Sequence, residues 1–164
     1  MYSKIQAPTK KISKESIKVW RMTETITNLI ILVILGILLF VDTYFSWKEW
    51  IGWVLIGLTI IECFSAIWSI IIAPILLQKY WRYDVSEEFI QTKHGAWYES
   101  HELIPMTKVQ SVELNQGPFL RKYGLYTISI GTMGDSHTIP AIPEKEAYEL
   151  RDKIAHYAKI KEVE

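Results

Sequence analysis

The chain has 164 residues, with 18 basic side chains against 18 acidic ones, a 49% hydrophobic and 13% aromatic composition, and one Cys. Balanced charge gives no overall basic field, which argues against a strongly basic nucleic-acid binder, and nucleic acid is not expected as a partner. A single Cys excludes an internal disulfide scaffold and the paired-Cys zinc frameworks, and the length suits one compact domain or a small domain with a few added elements.

The apolar residues are segregated along the chain. Residues 1–25 form a basic segment, carrying Lys4, Lys10, Lys11, Lys14, Lys18 and Arg21 against Glu15 and Glu24. Residues 26–45 then read ITNLIILVILGILLFVDTYF, without a charge before Asp42. After a short loop at 46–50, residues 51–77 read IGWVLIGLTIIECFSAIWSIIIAPILL, with Glu62 as the one charge. A bilayer core about 30 Å thick needs roughly 20 apolar helical residues, and a helix satisfies its own backbone without water. Both stretches are therefore read as transmembrane helices, the second long enough to tilt or to bend near Pro74. A buried soluble helix rarely stays apolar on every face for so long, and a signal peptide would be shorter and not followed by another span.

Lys and Arg beside the spans set the expected orientation. The connecting loop has only Lys48, whereas Lys79 and Arg82 follow the second span. Basic flanks at both ends of the pair place both termini in the cytoplasm and residues 46–50 outside. The aromatics agree: Tyr44, Phe45, Trp47, Trp50 and Trp53 crowd one boundary, and Trp20, Tyr80 and Trp81 the other.

From Gln78 onward the pattern becomes that of a small domain, read here as cytoplasmic, over 78–164. Strands are expected at 80–85, 89–94, 97–104, 108–116, 125–132 and 136–142, broken at His94-Gly95, Gly117-Pro118 and Gly134-Asp135. Residues 118–123 read as one helical turn opened by Pro118 and closed by Gly124. At 143–160 the apolar positions Ala147, Leu150, Ile154 and Tyr157 recur at helical spacing, with Glu144 and Glu146 at the positive end of the dipole and Lys159 and Lys161 at the other. Six strands and one amphipathic helix fit a small β-barrel or sandwich whose open end the helix covers.

Gly-x-Ser-x-Gly, Walker A and Gly-x-Gly-x-x-Gly are all missing, and no enzyme is expected. His94, His101, His137 and His156 are scattered, so structural or surface roles are expected, with no metal and no cofactor. Cys63 lies in mid-span and reads as a small apolar side chain.

Glu62 is the most informative residue. It lies roughly 16 Å into the second span at 1.5 Å per residue, near the bilayer centre, where an ionised carboxylate is costly. Gly52, Thr59, Glu62, Ser65, Ala66, Ser69 and Ala73 fall within an arc of about 140° at 100° per residue, and Trp50, Trp53 and Trp68 fall outside it. A small, polar stripe opposite bulky aromatics reads as a packing or partner face. On the first span Asn28, Gly36 and Thr43 share one side. Three readings of Glu62 stand: protonated and hydrogen-bonded across a helix interface, part of a partner's ion or peptide path, or tolerated without a role. In the domain, Phe119, Leu120, Arg121, Lys122 and Tyr123 form a candidate surface for lipid or a partner. The competing reading has Phe119, Leu120 and Tyr123 plugging the barrel while Arg121 and Lys122 are solvated.

Several blocks carry a family resemblance: Ile-Lys-Val-Trp-Arg at 17–21, Trp-Arg-Tyr at 81–83, and Ile-Pro-Met-Thr-Lys-Val-Gln-Ser-Val at 104–112. Gln-Gly-Pro-Phe-Leu-Arg-Lys-Tyr-Gly-Leu at 116–125 and His-Thr-Ile-Pro-Ala-Ile at 137–142 follow in order. With the two spans, they make the chain resemble the YdbS-like bacterial membrane proteins, which carry a bacterial pleckstrin-homology (PH) domain. The resemblance implies a two-helix membrane hairpin followed by a PH-like split β-barrel with a C-terminal helix. It also implies pairing with a larger multi-span PH-domain membrane protein and a role in resistance to antimicrobial peptides such as leaderless bacteriocins. It supplies no catalytic residues and no family motif at Glu62. The expected function is a non-enzymatic accessory subunit of a membrane complex, in contact with the lipid bilayer and directed against an antimicrobial peptide. The alternatives are a component of a peptide export assembly using Glu62, or a lipid-binding PH-like module.

Overall fold

The computed structural model describes residues 7–159, which leaves Lys4, Ile160 and Lys161 outside the described residues. Two compact units result, one of residues 18–75 and one that joins residues up to Ile17 with those from Leu76 onward.

The first unit is helical. Helix α1, Ser16–Phe45, begins ten residues before the apolar run, after a turn in which the Ser13 carbonyl accepts from Ser16 N and Oγ. Helix α2 spans Glu49–Ile67, a π-helical turn covers Trp68–Ile72, and α3 continues over Ala73–Tyr80. Pro74 explains the interruption. It has no N–H to give, and the wider turn just before it, with Ala73 N bonding Trp68 O, leaves Pro74 in a first-turn position where that loss costs little. Both helical stretches, 30 and 32 residues, are long and apolar enough to cross a membrane.

The second unit holds two antiparallel sheets. One has the order β1 (Lys10–Lys11), β2 (Arg82–Val85), β3 (Phe89–His94) and β4 (Ser100–Pro105). The other is the meander β5 (Val109–Asn115), β6 (Leu125–Thr132) and β7 (Ser136–Pro143). A 3-10 turn at Met106–Lys108 links them, and helix α4, Pro118–Lys122, lies between β5 and β6. Alternation puts Ile90, Ile104, Ile128, Ile130 and Ile139 inside, and helix α5, Glu144–Tyr157, covers them with Ala147, Leu150 and Ile154. This is the PH-like arrangement of a split barrel and a C-terminal helix.

Six strands were expected and seven are present among the described residues. The added one, β1, comes from the basic N-terminal segment and pairs Lys10 with Tyr83 and Lys11 with Arg82. Two residues of pairing leave no periodic trace in a sequence. The segment is fixed further by Ser13 N on the Ala141 carbonyl (3.2 Å) and by Gln78 Nε2 on the Ile12 carbonyl (3.3 Å), with Ile12 buried. Ala141 adopts φ 53° at a bulge where β7 slips against β6.

Two strand starts also differ from expectation. Tyr80 belongs to α3, so β2 begins at Arg82. Trp97 and Tyr98 lie in a turn, so β4 begins at Ser100. That turn depends on Gly95, at φ 106°, where a Cβ would run into the Tyr98 carbonyl oxygen.

Tyr83 ties β2 to α5. Its ring is 1% exposed and its hydroxyl donates to Glu146 Oε1 at 2.9 Å. Burial first, then the bond to Glu146 and the charge of that carboxylate, raises the Tyr83 pKa well above its ordinary value of 10.0. The folded state holds this proton more tightly than the unfolded chain, so the stabilisation is complete below pH 10 and is lost as pH rises toward the folded value. Above pH 10 the wild-type protein should lose about 1.4 kcal/mol per pH unit more than Tyr83→Phe in alkaline denaturation. Equal pH slopes for the two proteins would refute that coupling.

Candidate functional site

Within the helical unit, the small-residue stripe lies largely on the inward side. Gly52, Thr59, Glu62, Ala66, Ser69 and Ala73 are half-buried around the buried Leu55, whereas Ser65 is exposed at the edge of the arc. Trp50, Trp53 and Trp68 are exposed on the other side. The matching face of α1 is not the one expected. Asn28 is buried, but Gly36 and Thr43 are exposed, and beside the half-buried Leu38 and Val41 the inward stripe holds four half-buried positions, Leu32, Leu35, Leu39 and Asp42. These four follow Asn28 at intervals of three or four, which keeps them on one helical stripe, while Gly36 and Thr43 are rotated off it.

Two contacts join α1 to the second helical stretch. Asn28 Nδ2 donates to Ser69 Oγ at 3.1 Å and to the Glu24 carbonyl at 2.6 Å. Near the other end, a Cβ added to Gly52 would lie 2.8 Å from Asp42 Oδ2, so only Gly admits that carboxylate so close. Between them, Glu62 Oε1 is buried without a hydrogen-bond partner, and so is Asp42 Oδ1. Asp42 was legible in the sequence only as the charge ending the first span; its approach to Gly52 needed the structure.

In the β-domain the open edge between the two sheets forms a cavity of about 190 Å³, lined among others by Trp81, Thr92, His94, Glu102 and His137. Glu102 Oε2 accepts from His137 Nδ1 at 2.9 Å and from Thr92 Oγ1 at 3.3 Å, which links β4 to β7 across the split. Trp81 stacks on His94 with ring centroids 4.5 Å apart and planes 14° apart, while Trp81 Nε1 and His94 Nδ1 are buried without partners. His94, His101 and His137 therefore serve in contacts around the sheets, with His101 Nε2 3.1 Å from Gln91 Oε1, while His156 lies on α5. Among the described residues, no three His, Cys, Asp or Glu side chains are grouped as metal ligands would be. This cavity escaped sequence reasoning because its residues come from three strands, β3, β4 and β7, and from Trp81 before β2, whose mutual register cannot be read locally.

The second expected surface sits on α4 and the turn after it. Phe119, Leu120 and Tyr123 are half-buried there, while Arg121 and Lys122 are exposed. Gly124, at φ 60°, ends the helix by donating to the Arg121 carbonyl.

Residues 17–158 match the bacterial PH domain family. The chain belongs to that family. The match runs through both apolar helices and on into α5, so in this bacterial PH-domain protein the membrane hairpin is part of the family's own extent, with β1 just before it. The UPF0699 transmembrane protein YdbS of Bacillus subtilis (strain 168) is 36% identical over 155 residues, covering 94% of this chain and 96% of that protein. No solved structure matches the chain. Two apolar helices and the likeness to a transmembrane relative place this bacterial PH-domain protein in a membrane.

The Asn28–Ser69 bond joins two residues that the hairpin alone brings together, and a double-mutant cycle measures it. Asn28→Ala and Ser69→Ala should each destabilise the protein by about 0.6 kcal/mol in reversible unfolding in mixed SDS micelles, and the double variant by little more than either. Additive losses would show that the two side chains act separately. Gly52→Leu, which drives a side chain against Asp42, should be more damaging than either.

Proposed function

We propose that this protein is a non-enzymatic accessory subunit of a bacterial membrane complex that protects the cell against bacteriocins and related antimicrobial peptides. Its partner in this reading is a larger, multi-span PH-domain membrane protein. The observation that carries the reading is Glu62, a half-buried residue in mid-span of a helix apolar enough to cross a bilayer, whose carboxyl Oε1 finds no donor within the hairpin. Hydrocarbon offers no donor, so polar groups at that depth are satisfied by protein, and a helix from a partner is the available source. Glu62 as a residue is only half-buried, so part of it faces outward from the hairpin, where such a helix would pack. The resemblance to YdbS-like proteins supports the assignment to peptide resistance. Both termini and the β-domain are cytoplasmic in this reading, supported by the basic residues of 1–25 and by Lys79 and Arg82 beyond the second span.

Deleting the gene should sensitise the cell to at least one member of a bacteriocin panel, and mild-detergent purification should recover a larger membrane protein with this chain. Unchanged sensitivity across the panel would remove the defence role, and purification of the chain alone would remove the complex. Glu62 variants separate docking from transport. Glu62→Leu should weaken the complex by about 1 kcal/mol, roughly fivefold, while Glu62→Gln keeps a hydrogen-bonding group and most of the affinity. If Glu62→Gln leaves the complex intact yet abolishes protection or peptide efflux, the carboxyl belongs to an ion or peptide path.

A further inference from the structure

The register of the four-stranded sheet gathers basic residues that the sequence scatters. Lys11 lies opposite Arg82, Arg82 opposite Lys93, and Lys93 opposite His101. Directly opposed residues share a face, so these four make one row across β1 to β4. It is the outer face, since Tyr83 and Thr92 in the adjacent row point the other way and are buried. Like charges placed opposite one another oppose sheet formation, so packing alone gives no reason for the row. Two carboxylates belong to this region: Glu99, 2.7 Å from Lys93, and Asp84, on the same face. Against them stand Lys11, Arg82, Lys93 and the nearby Lys79, an excess of positive charge.

The turn following this row carries two large rings with almost no cover. Trp97 is 88% exposed and Tyr98 is 93% exposed. At the base of the turn His94 stacks on Trp81, the first residue after α3, and the Arg82 guanidinium donates to the carbonyls of Lys79 (2.7 Å) and Trp81 (3.0 Å). Row and turn are thus both anchored at the end of the apolar helical stretch, the place in a membrane chain where headgroups begin. Indole and phenol rings favour that layer, and Lys and Arg pair with its phosphates.

We propose that the Lys11–Arg82–Lys93–His101 row and the Trp97–Tyr98 turn form a docking surface for anionic phospholipid headgroups of the bilayer that holds the two spans. This surface is separate from Arg121 and Lys122 on α4, and it requires no partner protein. An acidic protein segment is the rival occupant; it would answer the cations but leave the two adjacent rings unexplained.

The test uses the full chain alone in nanodiscs of phosphatidylcholine, with and without phosphatidylglycerol. Hydrogen exchange at residues 95–99 should be slower in the anionic discs, and brominated lipid should quench a larger share of the tryptophan emission there, a gain that Trp97→Ser removes. Lys11→Gln and Lys93→Gln should each reduce the docked population roughly fivefold, whereas Lys93→Arg and Arg121→Gln should leave it unchanged. Unaltered exchange in β6 shows that a variant is folded, and Lys11→Gln alone suffices if Lys93→Gln disturbs the turn. Identical exchange in both disc compositions overturns the proposal. So does protection that ignores both Lys variants, or that appears only when a partner protein is added.

Discussion

The pairing of Lys10 and Lys11 with β2, continued by Ser13 on the Ala141 carbonyl, is the constraint on which the architecture depends. These contacts bring the chain before the first apolar helix into the same folded unit as the chain after the second. The hairpin is therefore an insertion into a β-domain, entered at Ile17 and left at Leu76. Such an insertion has an even number of crossings by necessity if its two ends belong to one soluble unit. Two spans satisfy that requirement, independently of any argument from Lys and Arg.

Each unit satisfies most of its polar groups internally and leaves a few buried side-chain atoms without partners. In the β-domain, ladder hydrogen bonds serve the backbone, and side chains such as Tyr83, Glu102 and His137 find partners across elements. In the hairpin, helical bonds serve the backbone and Asn28 meets Ser69, and the carboxyls of Asp42 and Glu62 keep an oxygen without a donor, as Trp81 Nε1 and His94 Nδ1 keep no partner in the β-domain. A buried unsatisfied oxygen costs on the order of 1–3 kcal/mol, a large sum beside the small gain of an intramembrane hydrogen bond.

Much of this was legible in the residues. The two apolar runs, the phasing of the small stripe and the exposure of Trp50, Trp53 and Trp68 all follow from hydrophobic length and a period of 3.6 residues. The strands β3 and β6 fell where alternation and turn residues placed them. The errors have a common source. Trp97 and Tyr98 have strand propensity, yet Gly95 turns the chain before they can pair. Gly36 and Thr43 have the size of packing residues, yet the larger Leu32, Leu35 and Leu39 take the inward side because they continue the stripe that Asn28 begins.

What the sequence determined by itself was therefore local or periodic: two membrane-length helices, a β-rich domain closed by an amphipathic helix, and a carboxyl in mid-span. Each of these depends on residues close in sequence, where hydrophobicity and turn chemistry act directly. Only the tertiary structure decided which residues meet: β1 against β2, Asn28 against Ser69, Glu102 against His137, and four basic side chains in one row. Those meetings are set by strand register and helix rotation over separations of up to about seventy residues, and no local propensity encodes them.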